Sequence, residues 1–155
     1  MMASQTRILE EQLCFSIYTA SREFTKFYRQ ALDPFHLTYP QYLVLLALWE
    51  EPKQTVKELG AHLMLDSGTL TPMLKRMEGV DLVKRSRSKA DERKVYIELT
   101  TKAIDMKQAV FSSVDDCISK LAFTQEDYVQ MLQGIQELTT KIQENNGGTK
   151  HEKII

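Results

Sequence analysis

The chain has 155 residues, 43% of them hydrophobic and 26% charged, with a net charge of −1. These values describe one globular domain, or one domain with a helical extension, that can bury a core. They argue against bulk electrostatic attachment to nucleic acid. No apolar run approaches the roughly 18 residues of a membrane span, and the N-terminus lacks the apolar core of a secretion signal, so the expected location is cytoplasmic, with no membrane partner.

A flexible start is expected over residues 1–6. Residues 7–32 read as a long helix, with Leu9, Leu13, Ile17, Ala20, Phe24, Phe27 and Ala31 forming an apolar stripe. Cys14, Tyr18, Ser21 and Tyr28 lie beside that stripe, and Asp33-Pro34 closes the helix. Thr38-Tyr39-Pro40 opens a second helix, with proline near its first position. Its body, from Tyr42 to Trp49, is apolar almost all round and predicts a buried centre. After an extended piece at Gln54–Val56, Lys57–Leu65 reads as a short helix with Leu59, Leu63 and Met64 facing inward.

The next stretch organises the chain. Asp66 or Ser67 supplies a cap for a helix whose stripe is Leu70, Leu74 and Met77, and Gly79 is expected as its left-handed terminator. The other face carries Ser67, Thr69, Thr71, Lys75 and Arg76: small hydroxyls that allow close approach, then two cations for phosphates or guanine edges. Pro72 removes one backbone bond and restricts the end that would probe bases. Alone, the pattern also fits a plain surface helix. Two short helices joined by a Gly-bearing turn, however, form a helix-turn-helix. Leu82–Arg87 and Lys94–Leu99 then alternate as paired strands around a charged tip, Ser88–Arg93, which includes Lys89, Asp91 and Arg93. The predicted fold class is therefore mainly α with a small β-hairpin, a winged helix-turn-helix over residues 34–99.

Charge supports that reading. Residues 53–99 hold 10 basic and 7 acidic side chains, and residues 73–94 hold 8 and 4, against 10 and 14 outside 53–99. A basic middle between acidic helices suits a local module for double-stranded DNA. A fifth helix is expected from Thr100 or Thr101 to about Lys120, with Ile104, Val110, Val114, Cys117 and Ile118 at helical spacing. Thr124–Asp127 is a capping box that opens a last helix through about Asn145. A disordered tail is expected over residues 146–155. The helices of residues 7–33 and 100–145 carry more apolar surface than one winged helix can cover. They predict a homodimer that offers two recognition helices to a palindromic operator.

Cys14 and Cys117 fit neither a zinc site nor a CxxC motif, and a standing disulfide is not expected in a reducing cytosol. They read as buried fillers or as regulated thiols. His36, His62 and His151 lack metal-ligand spacing, so no metal or cofactor is assigned.

The stretch Leu65–Glu78, the wing residues Asp91–Arg93 and Ile97–Thr100 together resemble the MarR family of dimeric winged-helix repressors. Glu11–Phe15 and Leu37–Tyr42 narrow the resemblance to its OhrR-type organic-hydroperoxide sensors and the related thiol-responsive global regulators, over roughly residues 7–145. The resemblance implies that Cys14 is the peroxide-sensing thiol and that Tyr28 and Tyr39 of the partner subunit sit against its sulfur, with Tyr18 beside this sensor pocket. It assigns DNA contacts to Ser67, Thr69, Thr71, Pro72, Lys75, Arg76, Lys89 and Arg93, with Asp91 orienting Arg93. It also makes Cys117 a candidate resolving thiol of the two-cysteine type. A thiolate attacks peroxide, and the sulfenic acid that results can be trapped as a disulfide. Two alternatives remain open: a repressor released by a small ligand, and a thiol-dependent peroxidase.

Overall fold

The computed structural model describes residues 8–91 and 93–146. The flexible start expected over 1–6 and all but Asn146 of the tail expected over 146–155 lie outside the described residues. The chain divides into two compact units, Met1–Cys117 and Ile118–Ile155.

In the first unit a 3₁₀ turn, Leu9–Glu11, precedes α1 (Leu13–Leu32). The single helix expected from residue 7 is interrupted at Gln12, which is extended at φ −90° and ψ 128°. Its backbone N–H closes the 3₁₀ turn on Leu9, and its side-chain amide donates to the Ile8 carbonyl at 3.0 Å. The apolar stripe of α1 is covered only at its C-terminal end. Ala31 and Leu32 are buried, while Leu13, Ile17 and Phe24 remain exposed.

The next helix, α2 (Tyr39–Glu50), starts on a capping box between Thr38 and Gln41. Val44, Leu45 and Leu48 are fully buried, as the apolar run predicts. Strand β1 (Lys53–Thr55) is the short extended piece, and it adds a third strand to the expected hairpin. With β2 (Val83–Arg87) and β3 (Val95–Leu99) it forms an antiparallel sheet in the order β1-β3-β2. Gln54 on β1 is buried because its amide donates to the carbonyls of Ala47 at 2.9 Å and Glu51 at 3.1 Å. Gln54→Leu removes both bonds and should lower unfolding stability by about 1–2 kcal/mol in urea titrations. An unchanged midpoint would show that the sheet does not depend on this anchor.

A second capping box, Thr55 with Glu58, begins α3 (Val56–Leu63) one residue earlier than expected. Leu59 and Gly60 are buried, but Met64 is not the inward residue the pattern suggested. It ends α3 in the left-handed conformation, φ 54°, and that reversal turns its side chain to solvent. The recognition-type helix α4 (Ser67–Gly79) is capped by Asp66. Gly79 stays inside the last turn, and the left-handed position belongs to Asp81 at φ 59°. There Leu82 N–H bonds the Met77 carbonyl and Asp81 N–H bonds the Glu78 carbonyl, so the expected type of helix ending occurs two residues later, at an aspartate.

The expected fifth helix is divided into α5 (Thr101–Asp105) and α6 (Lys107–Ser119) at Met106. The Trp49 indole N–H donates to the Ala103 carbonyl at 2.9 Å, the acceptor a continuous helix would offer to Lys107. A side chain inserted into the helical ladder is a recognised cause of a break. Ile104, expected inside, is consequently exposed, while Val110, Val114 and Cys117 are buried. In the second unit α7 (Gln125–Asn145) begins at the expected Thr124–Asp127 capping box. It buries none of its residues and exposes Tyr128, Met131, Leu132, Ile135 and Ile142. Among the described residues, no helix is long and apolar enough to cross a membrane.

Candidate nucleic-acid interface and thiol site

The start of α4 is built around one carboxylate. Asp66 Oδ1 accepts the Thr69 backbone N–H at 2.9 Å, and Thr69 Oγ1 donates to Asp66 Oδ2, also at 2.9 Å. A Cβ at position 68 would stand 2.9 Å from Asp66 Oδ1, so the glycine is what lets the carboxylate close over the turn. Thr69, one of the small hydroxyls expected to approach DNA, has its proton committed to Asp66.

The Thr69 hydroxyl and then the Thr69 N–H hold the Asp66 carboxyl below its ordinary value of 3.8. A carboxyl depressed in the folded state contributes stability above that ordinary value and loses it as pH falls through the lowered one. Asp66→Asn keeps a capping oxygen without a titrating proton. The gap in urea midpoint between wild type and Asp66→Asn should therefore shift in favour of the variant once pH falls below 3.8. A gap independent of pH would remove the cap from the acid response.

Leu70, Met73, Leu74 and Met77 bury one face of α4 against the core. Met73 joins the three residues anticipated for that stripe. Ser67, Pro72, Lys75 and Arg76 are exposed on the helix, and Thr71 is half-buried. Pro72 has no N–H to offer the Gly68 carbonyl, which therefore lacks that helical donor. Thr69 and Arg76 also line a cleft of about 290 Å³ with Thr38, Pro40, Gln41, Leu65 and Met73.

At the tip of the wing, Lys89, Asp91 and Arg93 are all exposed. Ser88 Oγ accepts the N–H groups of Ala90 and Asp91, each at 3.2 Å. Asp91 Oδ1 accepts the backbone N–H of Arg93 at 3.1 Å. Asp91 thus organises Arg93 through its main chain, where the resemblance had implied an orienting partner without saying how.

Cys14 is the second residue of α1 and is exposed. Cys117 is buried on α6, with its Sγ donating to the Phe27 carbonyl at 3.5 Å. Phe27 lies thirteen residues along α1 from Cys14, about 20 Å at helical rise. A disulfide needs Cα atoms within about 7 Å, so one protomer does not bring the two sulfurs together.

Tyr28 and Tyr39 do meet, with ring centroids 5.0 Å apart. Phe24 at 4.9 Å and Tyr42 at 5.8 Å from Tyr28 complete an aromatic cluster that reasoning from sequence did not assemble. The available signal was the i, i+4 spacing of Phe24 and Tyr28 and the i, i+3 spacing of Tyr39 and Tyr42. Burial raises the pKa of the Tyr39 hydroxyl and so keeps it a proton donor. Tyr18 stands apart from this cluster, ten residues before Tyr28 on α1, and its hydroxyl accepts from Arg22 at 2.6 Å.

A helix-turn-helix followed by a basic hairpin wing, β2–β3, on a three-stranded sheet is the architecture of a winged-helix transcriptional regulator. The chain matches the family described as transcriptional regulator SarA/Rot over residues 26–110. It is 45% identical over 138 residues to an organic hydroperoxide resistance transcriptional regulator of Bacillus subtilis, covering 89% of this chain and 94% of that one. It is 42% identical over 124 residues to the HTH-type transcriptional regulator MgrA of Staphylococcus aureus, covering 79% and 84%. Reduced AbfR bound to DNA superposes with a TM-score of 0.79 at 43% identity, over 88% of this chain and 93% of that one. AbfR, a Staphylococcus epidermidis protein, in its disulfide form superposes at 0.64, with 44% identity over 84% and 92%. This chain belongs to the SarA/Rot family of transcriptional regulators, and its fold is the MarR-type winged helix.

Proposed function

We propose that the chain is a homodimeric, redox-sensing repressor that releases its operator when organic hydroperoxide oxidises Cys14. The observation that carries this reading is the isolation of an exposed thiol at the head of α1, far from both Cys117 and the Tyr28–Tyr39 cluster of its own protomer. A two-fold axis that sets two α1 helices antiparallel would carry Cys14 to the tyrosines of the other copy. Residues 7–33 and 100–145 would then form the dimer, and residues 34–99 the DNA-reading part. The uncovered apolar side chains of α1 and of α7 supply the surface for such an association. DNA is bound by the reduced form of one relative and also by its overoxidized form, and the disulfide form is a distinct state of that relative.

The chemistry balances with groups of the chain and the signal. The Cys14 thiolate attacks the peroxide O–O bond, giving a sulfenic acid and releasing an alcohol once a proton is taken up. The Cys117 thiol of the partner subunit then displaces water to form an intersubunit disulfide. Tyr28 and Tyr39 would donate hydrogen bonds to the sulfur. Ser67, Thr71, Lys75, Arg76, Lys89 and Arg93 would hold phosphates and base edges, with Thr69 accepting and Pro72 shaping the approach. The protein would act on chromosomal DNA in the cytoplasm, consuming peroxide once rather than turning it over, and would need no cofactor.

The test is non-reducing electrophoresis after limiting cumene hydroperoxide. A covalent dimer that requires both cysteines supports the two-cysteine switch. A covalent dimer that persists in Cys117→Ser would assign the bridge differently. Repeated consumption of peroxide with a thiol reductant would move the chain to the peroxidase class.

A further inference from the structure

The recognition helix and the wing are joined by a contact that the DNA-binding residues named above do not include. Glu78, in the last turn of α4, receives two bonds from Arg85 on β2. The Arg85 backbone N–H lies 3.3 Å from Oε1, and its Nε lies 2.8 Å from Oε2. The pair is only partly exposed, 29% for the Arg85 side chain and 40% for that of Glu78. Between the two residues runs the Val80–Leu82 turn, which is itself pinned. Thr100 Oγ1 donates to the Asp81 carbonyl at 2.6 Å, and Lys102 Nζ donates to the Val80 carbonyl at 2.8 Å. Arg85 stands opposite Ile97 in the ladder, so its side chain shares the sheet face of that buried residue and leans toward the domain.

We propose that Glu78 is a positioning residue for DNA recognition, acting through Arg85: it clamps the base of the wing to the end of α4 and withholds one guanidinium from the phosphates. The argument is geometric and electrostatic. A carboxylate beside a DNA-reading helix repels the backbone it approaches, so its presence asks for a compensating role. Two bonds to one arginine, one of them to the main chain, fix the position of the strand and not merely the side chain. With the clamp closed, α4 and the wing present their cations as one rigid set, in the register a specific site requires. With it open, the base of β2 loses its tie to the end of α4 while the Val80–Leu82 turn stays held by Thr100 and Lys102. The register between helix and wing loosens, and Arg85 becomes an additional mobile cation. Site-specific binding then falls while sequence-independent binding does not.

This inference rests on the DNA-binding part of the proposed function and not on the peroxide chemistry, so it is tested on the reduced full-length protein without oxidant. Binding of wild type and Glu78→Gln to a duplex from the chain's own promoter, and to a scrambled duplex, would be followed by anisotropy across a salt series. Glu78→Gln should lose about tenfold in promoter affinity while keeping or gaining affinity for the scrambled duplex. The slope of log K against log salt should steepen by about 0.9, the signature of one more phosphate contact. In an Arg85→Leu background the Glu78→Gln change should leave that slope unaltered, because the released guanidinium is gone. Circular dichroism melting establishes that each variant is folded at the assay temperature. An unchanged ratio of promoter to scrambled affinity overturns the proposal. So does a parallel loss on both duplexes at constant slope, which is what simple damage to the helix would give. A wild-type protein that does not distinguish the two duplexes would instead overturn the DNA-reading role on which the inference stands.

Discussion

Cys14→Ser should remain on its promoter at organic hydroperoxide concentrations that release the wild-type protein. The reduced wild-type protein is expected to lose about 100-fold in affinity on oxidation, which corresponds to about 2.7 kcal/mol. Serine is close to cysteine in size, and position 14 is exposed in the protomer, so the substitution leaves packing within the chain intact. The hydroxyl does not attack peroxide, and the variant should bind DNA as the reduced wild-type protein does. Anisotropy at one stated salt concentration, before and after cumene hydroperoxide, measures both properties. If Cys14→Ser releases DNA as readily as wild type, the thiol is not the sensor, and a small ligand bound between the helices becomes the reading to pursue.

Leu70→Ala should cost about 3 kcal/mol of unfolding free energy, within the range of buried leucine truncations. Leu70 is fully buried on α4, and its Cδ2 lies 3.6 Å from where a Cβ at Gly60 would stand. The same Cβ would come within 2.9 Å of the Leu65 carbonyl oxygen in the turn between the helices, so Leu70 packs on α3 where glycine lets the turn close. Truncation leaves a cavity under the recognition helix, in a domain whose total stability is of the order of 5–15 kcal/mol. The promoter affinity should fall with it, because the α4 seat loosens. Urea titration at a fixed protomer concentration would read the loss, since association contributes to apparent stability. Leu70→Met, which nearly preserves volume, should cost less than about 1.5 kcal/mol. A Leu70→Ala loss no greater than that of Leu70→Met would mean that this crossing does not seat the helix.

Local chemistry made much of the chain legible from its residues. Apolar spacing located the helical stretches, though not the breaks at Gln12 and Met106, because the face that must leave water repeats with the helical period. Asp66 and Thr124 were readable as caps because a short side-chain oxygen beside unpaired amides acts within its own turn. The alternation in Leu82–Arg87 and Lys94–Leu99 marked the wing for a similar local reason. The candidate residues of α4 and the wing could be named individually, since their chemistry depends on residue type and helical position.

What escaped that reading is what distant residues decide. Nothing near Gly79 and Asp81 reveals which one turns left-handed; the choice follows from Leu82 closing onto Met77 and from Thr100 holding the Asp81 carbonyl. The division of α5 from α6 depends on Trp49, more than fifty residues away in sequence, taking the Ala103 carbonyl. The role of Gln54 as a strand anchor depends equally on where α2 ends. The clustering of Phe24, Tyr28, Tyr39 and Tyr42, and the separation of Cys14 from Cys117, are facts of helix packing and helix length. Sequence by itself determined the elements, their caps and the chemical candidates, because those are short-range consequences of side-chain shape and polarity. Only the tertiary structure decided which candidates share a site, because that is set by contacts across the fold that no spacing along the chain records.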